Sequence, residues 1–339
     1  MQLESLRTWF LKYRRDLPWR KTKNPYHVWI SEVMLQQTQV EVVKSYFERF
    51  IRAFPTIVDL ADADSMHLMK LWEGLGYYSR ARNLQKGAKI VVEKFKGHIP
   101  QTRDELLKIP GIGPYTAAAI LSFAHLKKAL AIDGNVLRVL ARFFGQKEDV
   151  TKPSVQKSLA KRVHLPEEKP YEIAEGLIEL GALVCKKQPK CFCCPLKTEC
   201  KAYLTKTQMQ LPVRKKRPKI QRLKRLVLIL MHNQNVLVKH NCEKKVMQDL
   251  LEFPYFEEKN MTKTCAKKYV EKLGLRGQFV RKMPIVKHSF TRYSIVLFPF
   301  IFEIEKKDDE NFEWLTIKEC ETRAFSSGHK RILTHVTHG

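Results

Sequence analysis

Apolar residues recur every three to four positions through VWISEVMLQQTQVEVVKSYFERF, YTAAAILSFAH, NVLRVLARFFG and EIAEGLIELGALVC, the period of helices that bury one face. Pro25, Pro55, Gly74, Pro100 and Pro153 punctuate these runs, so residues 1–205 read as nearly all helix. Beyond residue 225 the pattern changes to that of strands, in 226–231, 235–239 and the long run 293–304. One helical stretch, 265–273, interrupts them. Between the two regimes lies a basic linker, 206–225, whose segment PVRKKRPKIQRLKR holds eight basic residues, two prolines and no acid. The expectation is a helical domain over 1–205, the linker over 206–225 and a separate α+β domain over 226–339.

Charge narrows the partner. Sixty-two Lys and Arg face 35 Asp and Glu across 339 residues, a net charge of +27. That excess calls for a polyanion, and nucleic acid fits better than a membrane, since no stretch reaches the roughly 18 apolar residues of a spanning helix. The first residues, MQLESLRTWFLKYRR, are amphipathic and lack a signal-peptide core, which predicts a cytoplasmic protein. Five of eight cysteines fall between Cys185 and Cys200, too clustered for a disulfide framework. Cys185, Cys191, Cys194 and Cys200 give C-x5-C-x2-C-x5-C, a set of four thiolates able to hold zinc or a 4Fe–4S cluster. Cys193 is a spare thiol within the loop, and Lys186, Lys187, Lys190 and Lys197 make the loop basic.

Ile109-Pro110-Gly111-Ile112-Gly113-Pro114-Tyr115 has the form of a helix-hairpin-helix turn. Glycines at alternate positions, Gly111 and Gly113, let backbone N–H groups approach a DNA phosphate with no Cβ in the way. Asp133 follows twenty residues after Gly113 and opens the next helix with Gly134 and Asn135. A lone aspartate there is most often an N-cap. A second carboxylate changes the balance: Glu32 sits mid-helix among Trp29, Ile30, Val33 and Leu35. An isolated helical Glu usually faces water, but apolar surroundings would raise its pKa and keep it protonated, as a general acid requires. Asp133 lies where the helix dipole favours negative charge. Such a pair suits glycosidic-bond chemistry. Trp19 and Arg20 offer a flat face and a planar donor to an extruded base. Gln36, Gln37, Tyr77 and Tyr78 could wedge into the stack it leaves.

These motifs together resemble the adenine DNA glycosylases of the MutY type, within the endonuclease III-like helix-hairpin-helix superfamily. LPWR, SEVMLQQTQV, GLGYYSRARN, PGIGPYTAAAIL and DGNVLRVLAR carry the resemblance from Leu17 to Cys200, and it weakens through the C-terminal domain. It implies a mainly α helix-hairpin-helix domain with an iron–sulfur loop, and an α+β Nudix-like domain. It implies a monomeric base excision repair enzyme that removes adenine mispaired with 8-oxoguanine or guanine in double-stranded DNA, with one 4Fe–4S cluster per chain. In that reading Glu32 protonates adenine N7, Asp133 stabilises the oxocarbenium-like sugar, and Tyr115 and Asn135 line the site. Trp19, Arg20 and Leu35 flank the adenine, and Gln37 and Tyr77 intercalate. Tyr115 stands where related lyases carry a Schiff-base lysine, so the enzyme should release the base without efficient strand cutting.

Three departures stand out. The first cysteine gap is one residue shorter than the family's usual six, with Cys193 the alternative ligand if the loop shifts. The Phe-Ser-His triplet that probes 8-oxoguanine reads Phe290-Thr291-Arg292. The segment TKTCAKKYVEKLGL lacks the acidic cluster of a magnesium-binding Nudix box, so that domain should recognise and not hydrolyse.

Overall fold

A computed structural model describes residues 3–214, 220–240, 250–290, 293–306 and 312–337. The chain divides into two compact units that do not follow its order. One comprises Met1–Ala63 and Arg82–Lys216, the other Asp64–Ala81 and Arg217–Gly339. No described helix is long and apolar enough to cross a membrane.

The first unit is helical, as the three-to-four periodicity requires. The helix Pro25–Leu35 starts at Asn24, whose side chain accepts the Tyr26 N–H at 2.9 Å, with Pro25 in the first turn. It is buried on every side from Val28 to Met34. That is a central helix, and Glu32 is carried into the interior with it. The helix Gly134–Phe144 is capped by Asp133 and ends at Gly145 in the left-handed region. Its apolar face packs with Leu6, Val155, Leu159, Ile173, Leu177 and Leu180 into one core. The helix Pro170–Leu183 approaches very closely: a Cβ at Gly181 would lie 2.6 Å from Asn135 Cβ, so only glycine allows the contact.

The second unit holds a mixed sheet of eight described strands: β1 (Gln221–His232), β2 (Asn235–His240), β3 (Leu251–Glu252), β4 (Tyr255–Glu257), β5 (Gly277–Lys282), β6 (Val286–Phe290), β7 (Tyr293–Ile304) and β8 (Glu313–Thr316). The main order is β3-β2-β1-β7-β5, with β4 on β1, β6 on β7 and β8 on β2. β1 and β7 run parallel from Gln221↔Tyr293 to Met231↔Glu303, and the other pairs are antiparallel. Alternate residues of β1 feed two cores. Val227 and Ile229 pack with Ile332 and Leu333 of the helix Ser327–Thr337, whereas Leu226, Leu228 and Leu230 pack with Ala266 and Val270 of the helix Lys263–Lys272. A sheet covered on both faces explains why Leu226–Leu230 reads as an unbroken apolar run rather than an alternation. Pro299 falls where β7 changes neighbour from β6 to β5, so the missing N–H lies at a break in the antiparallel ladder.

Asp64–Ala81 belongs to this second unit through contacts that its sequence does not announce. Glu73 Oε1 accepts the Phe325 N–H at 3.0 Å, Lys70 Nζ donates to the Arg323 carbonyl at 3.3 Å, and Lys330 Nζ stands 3.7 Å from Glu73 Oε2.

Candidate active site and cysteine loop

A cavity of about 380 Å³ opens within the first unit. Its lining brings together Trp19, Arg20, Glu32, Leu35, Gln36, Gln37, Tyr115, Asp133 and Asn135, which are more than 100 residues apart in sequence at their extremes. Four elements supply them: the turn Pro18–Arg20, the end of the helix Pro25–Leu35, the first turn of the helix Pro114–Ala119, and the Asp133 cap.

Glu32 is 6% exposed, and its Oε2 accepts the Tyr115 hydroxyl at 2.6 Å. Burial pushes its carboxyl up to about 7; the Tyr115 hydrogen bond opposes this, and the charges of Asp133 and Glu175 add to it. Tyr115 is pushed well above the ordinary phenol by burial and by Glu32, so it remains a donor. Asp133 is an N-cap as well as a cavity residue: Oδ1 accepts the N–H groups of Asn135 at 2.9 Å and Val136 at 2.7 Å, and Oδ2 accepts from Asn135 Nδ2 at 2.7 Å. The structural role therefore fixes the orientation that a chemical role needs.

Trp19 is buried, edge-on to Phe47, and forms wall rather than an open stacking platform. Arg20 is not a free donor. Its guanidinium is held by Glu175 at 2.8 Å, Glu179 at 3.1 Å and the Arg15 carbonyl at 3.1 Å. Tyr78 is buried, which removes it as a wedge, while Tyr77 is 39% exposed. Gln37 and Tyr77 both hold positive φ, +61° and +50°, strained for residues with side chains. Gly111 needs its left-handed φ of +84°; Gly113 does not, and a Cβ there would meet nothing within 4 Å, leaving open space above the hairpin. Phe290 ends β6, and Thr291 and Arg292 lie outside the described residues.

Sequence reasoning missed Glu175, a cavity-lining carboxyl that burial pushes up and Arg20 pulls down. Its signal was a spacing: Glu172, Glu175 and Glu179 share one helix face, and all three are buried. Glu172 pairs with Arg7 and Glu179 with Arg15 and Arg20. Burial of Glu179 is outweighed by hydrogen bonds from Arg15 and the charge of Arg20, which hold it at about 2.

Cys185, Cys191, Cys194 and Cys200 border one small pocket, together with Arg142 and Lys197. The Cys185 thiol accepts from Arg142 Nη1 at 3.3 Å, whereas Cys193 is exposed and its Sγ donates to the Lys190 carbonyl. The donor set fits a thiolate-bound metal group, although among the described residues no three ligating side chains stand at ion-sharing distance. Burial pushes Cys194 up to about 12 and raises Cys191 and Cys200, so these thiols need a cation to ionise there. Arg138 joins loop and cavity: it donates to the Cys185 carbonyl at 2.7 Å, the Gly181 carbonyl at 2.9 Å and Asn135 Oδ1 at 2.8 Å.

Residues 30–164 match the HhH-GPD superfamily of base excision DNA repair proteins, and residues 225–335 match the NUDIX domain. Fold and site thus define a helix-hairpin-helix repair protein with an appended NUDIX-like domain. Among relatives, the chain is 36% identical over 311 residues to the adenine DNA glycosylase of Buchnera aphidicola subsp. Baizongia pistaciae, covering 89% of this chain and 86% of that one. It therefore belongs to the adenine DNA glycosylase family. Among solved structures, a thermostable thymine-DNA glycosylase superposes with a TM-score of 0.56 at 28% identity, over 60% of this chain and 95% of that one. A non-covalent endonuclease III–DNA complex gives 0.52 at 28% identity, over 61% and 95%.

Proposed function

We propose that this glycosylase is monofunctional and monomeric, and that it releases adenine paired with 8-oxoguanine or guanine after flipping it out of double-stranded DNA into the cavity. The meeting of Glu32, Tyr115 and Asp133 in one cavity carries the reading. A carboxyl kept protonated to about neutral pH is a proton donor for a purine ring nitrogen, N7, which makes the base a neutral leaving group. The Asp133 carboxylate then offsets the positive charge that grows on the sugar. Glu175 adds an acceptor suited to the exocyclic amine of adenine. A thymine enzyme could share this fold, as the structural similarity shows, but a pyrimidine has no N7 for Glu32 to protonate.

Tyr115 cannot form an imine with the abasic sugar. Among the described residues Lys23 is the cavity's lysine, and its ammonium lies 4.1 Å from the Tyr171 ring centroid. Phosphate contacts from the hairpin and the basic surface would supply most of the affinity, with a steep salt dependence. Gln37 and Tyr77 would fill the gap left by the flipped base, and their strained backbones suit side chains held ready for insertion.

Cys185, Cys191, Cys194 and Cys200 would hold one 4Fe–4S cluster. When bound, the group orders the loop carrying Lys186, Lys187, Lys190 and Lys197 and takes no part in breaking the glycosidic bond. The purified protein should be brown, with iron and sulfide in about equal amounts; a colourless preparation carrying stoichiometric zinc would contradict the cluster.

Single-turnover excision tests the acid. A protonated Glu32 predicts a rate that is full below about pH 7 and falls as pH rises through that value. A rate that is flat across neutral pH would remove Glu32 as the donor.

A further inference from the structure

Within the second unit, the turn Gly74–Tyr77 is held unusually tightly. Gly74 and Gly76 take φ of +100° and +69°, and Tyr77 is forced to +50°. Trp72 Nε1 donates to the Gly76 carbonyl at 3.1 Å, and Arg80 donates to the carbonyls of Leu75 and Gly76, both at 3.0 Å. The Arg80 guanidinium also lies 5.6 Å from the Tyr77 ring centroid. A strained residue persists only where its surroundings over-determine it.

The two residues flanking the turn grip a single distant peptide. Glu73 accepts the N–H of Phe325 at 3.0 Å, and the Tyr78 hydroxyl lies 3.5 Å from the Phe325 carbonyl. Phe325 is fully buried and bridges Leu251. Two residues on, Ser327 Oγ stands 3.1 Å from His288 Nδ1, and a Cβ on Gly328 would lie 2.8 Å from Leu297 and 3.2 Å from His288. His288 and Leu297 lie on β6 and β7, the strands joined by the Phe290–Tyr293 hairpin.

We propose that Glu73 is a positioning residue that locks the Tyr77 turn to the Phe325–Gly328 corner. Through Ser327 and His288, that corner in turn locks the β6–β7 strands, so that wedge and hairpin act as one reader of the base opposite the adenine. This rests on the glycosylase reading above and adds to it the means by which identification of the opposite base reaches the inserted side chain.

The test compares single-turnover excision by the full chain on duplexes with adenine opposite 8-oxoguanine and opposite guanine. Glu73→Ala should lower the ratio of the two rates about tenfold, the scale of one buried hydrogen bond lost, without moving the pH at which the rate falls. Glu73→Gln, which keeps an acceptor for Phe325, should restore most of it. In a Tyr77→Ala background, Glu73→Ala should change the ratio little further. Ser327→Ala, a small change at the second link, should lower the ratio in the same direction and carries the test if Glu73→Ala does not fold. The proposal is overturned if the variants slow both duplexes equally, if the Glu73 and Tyr77 effects simply add, or if the wild type treats both duplexes alike. Absence of excision from either duplex would instead remove the glycosylase reading.

Discussion

Glu32→Gln should reduce adenine excision by about 10³-fold while leaving affinity for the mismatched duplex nearly unchanged. Glutamine fills the same volume at a 6%-exposed position and can still accept the Tyr115 hydroxyl, so the cavity keeps its shape. What is lost is the transferable proton, and general acid catalysis of this kind contributes roughly 10²–10⁴-fold. The substitution also removes the titration near pH 7, so whatever rate remains should no longer fall across neutral pH. Excision within a few-fold of wild type, with binding intact, would end the general-acid assignment.

Asp133→Asn separates two roles that one side chain performs. Asparagine caps helices about as well as aspartate, so it can still accept the N–H groups of Asn135 and Val136, and the melting temperature should shift by no more than a few degrees. The negative charge facing the sugar disappears. Losing one preorganised electrostatic contact of this kind costs about 10²–10³-fold in rate. The expected result is a stable, DNA-binding and nearly inactive protein. A large loss of stability with a modest loss of rate would make Asp133 a cap and little more.

The legible parts of this molecule were those set by local rules. The all-apolar surroundings of Glu32 foretold its burial, and the Asp133-Gly134-Asn135 opening foretold the cap. The strands 226–231, 235–239 and 293–304 were found within wider observed limits, because both faces of the sheet are covered and apolar residues therefore dominate. The four cysteines were grouped by spacing alone, and the structure sets Cys193 apart from them.

Long-range pairing was invisible. Nothing near Arg20 shows that Glu175 and Glu179, more than 150 residues away, occupy its donors. Hence the sequence reading made Arg20 a free contact for the base and passed over Glu175. Tyr77 and Tyr78 are adjacent and alike in sequence; only the turn decides that one is exposed and the other buried. The attachment of Asp64–Ala81 to the second unit depends on Glu73 meeting a backbone N–H at Phe325, and backbone groups leave no trace in a sequence.

The central claim is that Glu32, Tyr115 and Asp133 form a monofunctional adenine-releasing site. Its most direct test is single-turnover reaction of end-labelled duplexes carrying A opposite 8-oxoguanine, A opposite guanine and T opposite guanine, with and without hot alkali. Strand breaks at adenine alone, and only after alkali, are the predicted result. Breaks without alkali, breaks at thymine, or tight binding with no base release would contradict it.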